Sequence, residues 1–306
     1  MNKNLQKIIK YLKDKNYRVT VNSVLGLYNN MSDEQFLKKR FKASLGYELN
    51  LENPKTFNEK LQWLKLNDRK DIYTTMVDKY KVREYIKEKI GEEYLIPLIG
   101  VWDNPDDIDF DKLPEKFVLK CNHNSSIGMC ICKDKSKINI KKIKRELKKG
   151  LKQDFYLRGR EWPYKNVERK IICEEYMEDN KTKDLKDYKF FCFNGKVECM
   201  FIASDRQNKN EETKFDFFDK EFNHLNFTNG HPSSNRKIQK PNMYDEMIKI
   251  AEKLSKDIPQ VRVDLYEIND KIYFGELTFF HWSGLIPFKP KEWDYKLGEL
   301  IKIKSK

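Results

Sequence analysis

The sequence predicts an α+β fold, and three observations carry that expectation. Residues 1–90 place apolar side chains at helical spacing, with capping signals between the runs. From Lys116 onward the pattern changes to short apolar strands bounded by Gly, Asn and Asp. Those strands are joined mostly by tight turns, so neighbours pair as antiparallel hairpins, with helices mixed among them.

Each element has its own justification. The stretch "MSDEQFLKKRF" opens with Ser32 and Gln35 in capping-box spacing, and "NPKTFNEKLQWLKLNDRK" repeats the device with Thr56 and Glu59. Residues 72–90 read as one further helical stretch, ended by Gly91. The segment "YLIPLIGVW" is extended and "DNPDDIDFDKLPE" is an acidic loop. A hairpin at 116–132 precedes a helix near 138–151 and a strand within 168–179. Residues 183–206 form a hairpin turning at Asn194-Gly195, and 214–227 another turning near Asp219-Lys220. An amphipathic helix spans 243–258, and the last hairpin, 261–284, turns at Asn269-Asp270.

Composition bounds the function. The chain has 306 residues, 39% hydrophobic, which suffices for a sizeable core in one large domain or two to three smaller ones. No run reaches the length of a membrane-spanning helix, and charges interrupt every apolar cluster of the basic N-terminus, so no signal-peptide core is expected. The net charge of +13 opens nucleic acid or an anionic membrane face as partners. Only eleven of the 61 basic residues are Arg, the fork that reads phosphates and bases, so nucleic acid is not expected. The densest basic run, Lys133 to Lys152, sets Ile143, Leu147 and Leu151 at helical spacing. It reads as a solvated helix face, with a membrane- or polyanion-facing patch as the other reading. Six cysteines show no metal-ligand spacing, and four lie in strand-like runs, as expected of reduced core thiols in a cytoplasmic protein.

Three stretches carry the chemistry. In "KFVLKCNHNSSIGMCIC", a buried strand ends in Lys120 and turns through a polar loop. A hairpin with a solvated lysine accounts for this, and so does a rigid cation beside loop amides that hold polyphosphate. With Gly128 its only glycine, the loop is neither a P-loop nor a dinucleotide fingerprint. In the last hairpin, Asp264 and Glu276 fall within one residue of direct cross-strand register, and Thr278 shares the face. Paired carboxylates repel unless a hard cation such as Mg2+ sits between them; an exposed acidic sheet face is the alternative. The strand "IICEEYMED" either frays into solvent or forms a nucleotide-base slot.

Together "VDKYKVREYI", "KFVLKCNHNSSIGM", "IICEEYM", "DYKFFCFNGK" and "VRVDLY…YFGELTFFHWSG" make the chain resemble the ATP-grasp superfamily over roughly 50–300. Within it the likeness is to TupA-like ATP-grasp proteins of bacterial capsule and surface-polysaccharide clusters. The resemblance implies two α+β subdomains gripping ATP, at 116–178 and 179–306, behind a helical segment 1–50 and a preceding region 51–115. It assigns Lys79 to approach ATP from the preceding region and Lys120 to the α and β phosphates, under a mobile loop with Asn124, Ser125, Ser126 and Gly128. Glu174, Glu175, Tyr176 and Met177 are assigned to the strand around adenine, and Lys189 to phosphate or substrate. Arg262 would stabilise the transferred phosphoryl group, and Asp264, Glu276 and Thr278 would hold Mg2+. Thr278 departs from the family pattern, which has Asn there, so the number and geometry of metal ions stay open.

The implied chemistry is a carboxylate–amine ligation through an acyl phosphate, with ATP and Mg2+ as cofactors. The resemblance points to a carboxylated sugar or glycan and a small amine or amino acid as substrates. The basic surface would suit an anionic glycan or peripheral contact with the inner membrane face, and lysine-rich composition explains it equally well. Arg206, near a strand end, is a candidate carboxylate clamp. His123 either touches phosphate or is a solvated loop residue, and His281 is placed to line the acceptor pocket. A kinase or glycosyltransferase of the same pathway is the alternative. The one clean D-x-D, Asp109 and Asp111, lies in the acidic loop and not at a strand end.

Overall fold

The computed structural model describes residues 3–125, 127–180, 186–205, 211–234 and 236–303. The chain opens with α1 (Lys3–Lys13), α2 (Lys15–Val24), α3 (Asp33–Leu45), α4 (Phe57–Asn67), α5 (Ile72–Val77) and α6 (Val82–Lys89). Thr56 and Glu59 close a full capping box on α4: the Glu59 amide donates to Thr56 Oγ1 at 3.1 Å, and the Thr56 amide to Glu59 Oε2 at 3.0 Å. The stretch 72–90 is not one helix. Asp78 Oδ1 accepts from the Tyr80 and Lys81 amides, at 2.8 and 3.2 Å, which ends one helix and starts the next.

A four-stranded antiparallel sheet follows. It is built from β1 (Leu98–Trp102), β2 (Phe117–Cys121), β3 (Met129–Cys132) and, beyond α7 (Ile140–Leu151) and α8 (Tyr156–Gly159), β4 (Ile171–Glu175), in the order β1-β4-β2-β3. Alternation along β2 divides its side chains between two faces. Phe117 and Leu119 are fully buried against Leu147 of α7, each contributing about 2 kcal/mol by leaving water. Val118 and Lys120 point the other way, into a cavity.

The second sheet has six strands in the order β11-β10-β5-β6-β7-β8. They are β5 (Asp187–Phe193), β6 (Lys196–Ser204), β7 (Lys214–Asp219), β8 (His224–Leu225) and, after β9 (Thr228–Asn229) and α9 (Tyr244–Leu254), β10 (Gln260–Ile268) and β11 (Lys271–Thr278). Asn194-Gly195 and Asn269-Asp270 all have positive φ, as the expected two-residue turns require. One face packs on α9 in the largest apolar cluster. Strand β12 (Phe288–Lys289) pairs with β9, and α10 (Glu292–Leu300) closes on α4, where Asn58 binds Asp294 through its amide and its side chain, both at 3.0 Å. All six cysteines lie in strands as free thiols.

Candidate active site

Between the two sheets lies a cavity of about 340 Å³. Val118, Lys120, Ile131 and Glu174 line it from the four-stranded sheet; Ala203, Tyr266 and Phe274 line it from the six-stranded sheet. Glu175, Tyr176 and Met177 edge it as the chain leaves β4. Glu174 and Glu175 separate by alternation. Glu174 turns inward and pairs with Lys120 Nζ at 2.5 Å, with Arg83 Nη1 of α6 3.6 Å from its other oxygen. Glu175 is exposed.

Lys79 bridges this end of the cavity to the polar loop. Its amide donates to Asn122 O at 3.1 Å and its Nζ to Asn124 O at 2.7 Å. Burial pushes Lys79 below the ordinary lysine value; the Glu276 charge opposes that and Lys120 adds to it. The loop base is anchored. Asn122 donates to Asp78 Oδ1 and Glu168 O, both at 2.8 Å, and accepts from the Lys170 amide at 2.8 Å. Asn124 reaches Gly150 O at 3.2 Å. His123, expected at a phosphate or in solvent, is buried instead, with Nε2 3.1 Å from Gln153 O; burial lowers its pKa to about 4. Gly128 has φ +71°, and a Cβ there would stand 2.8 Å from Cys121 Sγ and 2.9 Å from Gly150 Cα, so only glycine lets the loop close on α7. Ser125 is exposed; Ser126 lies outside the described residues.

On the six-stranded sheet a polar cluster begins next to Gly275, a lining residue of the cavity. Strand register sets Asp264 opposite both Glu276 and Lys189, and Arg262 opposite Thr278. Arg262 donates through Nε to Asp264 Oδ1 at 2.6 Å and through Nη2 to Asp264 Oδ2 at 2.7 Å. Its Nη2 also reaches Thr278 Oγ1 at 3.0 Å and Glu276 Oε1 at 3.2 Å. Lys189 Nζ makes a short bond to Asp264 and lies 2.6 Å from Asp187. Burial lowers the Arg262 pKa, but Asp264 and Glu276 outweigh it and the net shift is upward. For Glu276, burial works upward, yet Lys79, Lys189 and Arg262 prevail and hold it at about 2. Its side chain is 41% exposed, so this carboxylate faces open space.

The register holds a feature that a regular ladder lacks. Pairing shifts by one residue between Asp264 and Leu265, leaving Gly275 as the extra residue of a β-bulge. Without it Gly275 would oppose Asp264 and Glu276 would turn to the opposite face. A Cβ on Gly275 would lie 2.9 Å from Asp264 O and 3.0 Å from the Tyr266 ring.

Beyond β11 the chain makes a left-handed turn in which Trp282 (φ 49°) and Ser283 (φ 57°) are both non-glycine. Each such residue costs on the order of 1–2 kcal/mol. Fully buried Lys65 holds the turn, donating to Ser283 O and Oγ at 2.9 Å, Gly159 O at 2.8 Å and Gln62 Oε1 at 3.0 Å. The turn fixes His281, whose Nδ1 lies 2.7 Å from Arg262 Nη1 and whose Nε2 lies 3.0 Å from Asn229 Oδ1. Burial, then Arg262, pushes His281 well below its usual pKa; it is neutral, accepting at Nδ1 and donating at Nε2.

The donor chemistry bears on two ligands. A half-apolar cavity with cations at one end has the size and character of a nucleotide site. Glu276 and Thr278 supply hard oxygens of the kind Mg2+ takes; Thr278 Oγ1 donates to Glu276 Oε1 at 3.0 Å and both accept from Arg262 Nη2, so an ion there would displace these bonds. Asp264 has both oxygens committed to Arg262 and Lys189, so an ion there competes with those cations. Among the described residues, no group of three or more His, Cys, Asp and Glu is arranged to hold a metal. Arg206 lies outside the described residues. Asp109 and Asp111 are exposed, and Asp109 caps its own turn by accepting the Asp111 amide at 3.1 Å.

Sequence reasoning missed Asp78, Arg83, Asp187, Asn229 and Lys65. Asp187 was legible as the residue two before Lys189 on one face, and Arg83 lay within a quoted motif. Nothing local marks Asn229 or Lys65.

The family profile "TupA-like ATPgrasp" matches residues 59–302, more than half of the chain. Similar solved structures include the D-alanine–D-alanine ligase of Bacillus anthracis with ATP, at 15% identity and a TM-score of 0.40, covering 67% of this chain and 54% of that one. The Helicobacter pylori D-alanine–D-alanine ligase shows 16% identity and a TM-score of 0.41, covering 80% and 69%. For the D-alanyl-alanine synthetase A of Vibrio cholerae the figures are 11%, 0.42, 81% and 64%. The chain thus spans about half the length of the Bacillus anthracis ligase. A search of curated protein sequences returned no match.

Proposed function

The chain belongs to the TupA-like ATP-grasp family, and from that premise we propose that it is an ATP-dependent carboxylate–amine ligase acting through an acyl phosphate. One observation carries the reading. Lys79, Arg83, Lys120 and Glu174 line one cavity, and Lys79 is in electrostatic reach both of Glu174 and of Glu276, which belongs with Arg262, Lys189 and Asp264 to the polar cluster on β5, β10 and β11.

The residues divide the work. Tyr176 and Met177 border the adenine end, and Glu174 and Glu175 flank it on β4. Lys79 and Lys120 hold the phosphates, with Glu174 keeping Lys120 aimed until phosphate replaces it. Asn124, Ser125, Ser126 and Gly128 form the phosphate cover, on a base fixed to α7. Glu276 and Thr278, with Asp264 behind them, would hold Mg2+, which neutralises phosphate charge when bound. Arg262, fixed by neutral His281 and by Asp264, donates to charge developing on the transferred phosphoryl group. Lys189 steadies Asp264, and in this reading it also meets the incoming carboxylate, with Arg206 as a second clamp. The carboxylate oxygen attacks the γ-phosphorus and ADP leaves. The amine then attacks the acyl carbon, phosphate departs with the shared oxygen, and the amine proton goes to solvent. Catalysis is positioning and charge placement; no nucleophilic side chain takes part.

The substrates we propose are a carboxylated sugar, such as a hexuronic acid of a surface polysaccharide, and an amino acid or small amine. Trp282, 41% exposed beside His281, offers a flat apolar face at the acceptor end. Free thiols and an ATP-dependent reaction support a cytoplasmic setting. No helix among the described residues is long and apolar enough to cross a membrane. The test is ADP and phosphate release from ATP with uronic acids crossed against amines, and Glu276→Ala as control. Release that requires both a carboxylate and an amine, and is lost in the variant, sustains the reading. Release with a hydroxyl acceptor alone makes the protein a kinase, and no turnover with any pair removes the proposal.

A further inference from the structure

Half of the large exposed apolar side chains lie in a short N-terminal stretch remote in sequence from the catalytic residues. Twelve large hydrophobics are exposed among the described residues, and six of them are Leu5, Ile8, Leu12, Val24, Leu25 and Leu27, at 48% to 67%. Scattered single exposures are ordinary, but a cluster of this kind marks an interaction face. On α1, the spacing of Leu5, Ile8 and Leu12 sets them within one stripe of the helix. Lys7 and Lys13 fall on either side of the opposite, polar face and Lys10 at its middle, over the Tyr17 ring at 4.8 Å, and α1 contains no acidic residue. The nearest acid, Asp14, is used internally, accepting the Asn16 and Tyr17 amides at 2.9 Å as the cap of α2.

The helix is fixed in place. Tyr11 Oη donates to Asn22 Oδ1 at 2.8 Å, and Arg18 Nε to Tyr11 O at 3.0 Å, joining α1 to α2. Arg40 Nη1 reaches Thr20 Oγ1 at 2.7 Å, joining α2 to α3. These bonds hold α1 through its inner face and leave the apolar stripe outward. These residues also precede the segment 59–302 that the family profile matches.

We propose that α1 and the turn after α2 form a docking face for an anionic lipid bilayer. The argument for this occupant is charge complementarity. A short helix with an apolar stripe on one face, lysines on the polar face and no acid in it suits the boundary between acyl chains and anionic headgroups. A second copy of the chain meeting the same face would bring together two lysine-rich helices with no acid between them, which opposes self-association. Docked in this way, the ligase cavity would be held near the membrane surface while the helix lies in the interface without spanning it.

The test uses the full chain and flotation with two vesicle types, phosphatidylcholine alone and an equal mixture of phosphatidylcholine and phosphatidylglycerol. The face predicts flotation with the anionic vesicles, weakened by salt and much reduced with neutral ones. A Leu5→Ser, Ile8→Ser, Leu12→Ser variant and a Lys7→Gln, Lys10→Gln, Lys13→Gln variant should each lower the bound fraction by about tenfold or more. ATP binding should be unchanged in both. A Leu25→Ser, Leu27→Ser variant, lying outside α1, serves as the second apolar test if the first alters helicity. Failure of the wild type to float with anionic vesicles overturns the proposal, as does flotation of the apolar variants at the wild-type level. A concentration-dependent dimer in sedimentation that the Leu5, Ile8, Leu12 variant abolishes would assign the face to a second copy and overturn it too.

Discussion

At the scale of single residues, the two hairpin carboxylates differ in what they are free to do. Asp264 is enclosed by Arg262 and Lys189, and its removal would leave Lys189 only Asp187 and Arg262 only Glu276 as carboxylate partners, at a cost of about 3–5 kcal/mol. Glu276 is half exposed, so its replacement tests chemistry rather than folding. Lys120 tests both. With Lys120→Met the phosphates lose a charged donor and buried Glu174 keeps only Arg83, so the KM for ATP should rise roughly 10–100-fold and the melting temperature should fall; steady-state kinetics and a thermal melt check both halves. His123 yields a pH prediction. It is neutral when folded, with a pKa near 4, while the unfolded chain protonates it near the ordinary value of about 6.5. The unfolded state therefore takes up the extra proton between those values. Stability is level above pH 6.5 and falls by about 3 kcal/mol as pH drops to 4. Denaturant midpoints of wild type and His123→Phe across that window should converge at low pH; parallel curves would refute this role for His123.

At the scale of elements, Gly275 sets the site's geometry. The turn at Asn269-Asp270 makes the pairing of Asp264 and Glu276 legible in the sequence to within one residue, and the bulge at Gly275 is the missing residue. Gly275→Val should cost about 1–3 kcal/mol and most of the turnover, since its side chain meets the Asp264 carbonyl and the Tyr266 ring. Deleting Gly275 should cost less activity, because a regular ladder then still sets Glu276 opposite Asp264. Equal loss in both variants would show that the bulge does more than set register. The hairpins, the capping box on α4 and the alternation of β2 were readable from local pattern. The break between α5 and α6 was not, because it rests on Asp78, whose partner Asn122 is far along the chain. The same holds for the loop base: Asn122, His123 and Asn124 read as a soft polar turn, yet each is buried against Asp78, Gln153 or Gly150. Polar residues look solvent-facing in sequence whenever the groups that satisfy them lie in another element.

At the scale of the whole molecule, two sheets set opposed polar and apolar surfaces around one cavity, and α4 with α10 ties the chain's first half to its end. The α+β class followed from turn chemistry and periodicity. The cavity and the polar cluster were named from separate motifs, and only the assembled fold brings Lys79 into the field of both Glu174 and Glu276. Lys65, Asn229 and the left-handed turn at Trp282 were invisible beforehand, since their roles are to hold His281 and Arg262 across long separations. The central claim is that a carboxylate oxygen passes to phosphate during amide formation. The most direct measurement uses a uronic acid labelled with 18O in its carboxylate, an amine and ATP, with mass analysis of the released phosphate. The account predicts one labelled oxygen in the phosphate and one retained in the amide. Unlabelled phosphate, or a phosphorylated product that keeps both labelled oxygens in its carboxylate, would contradict it.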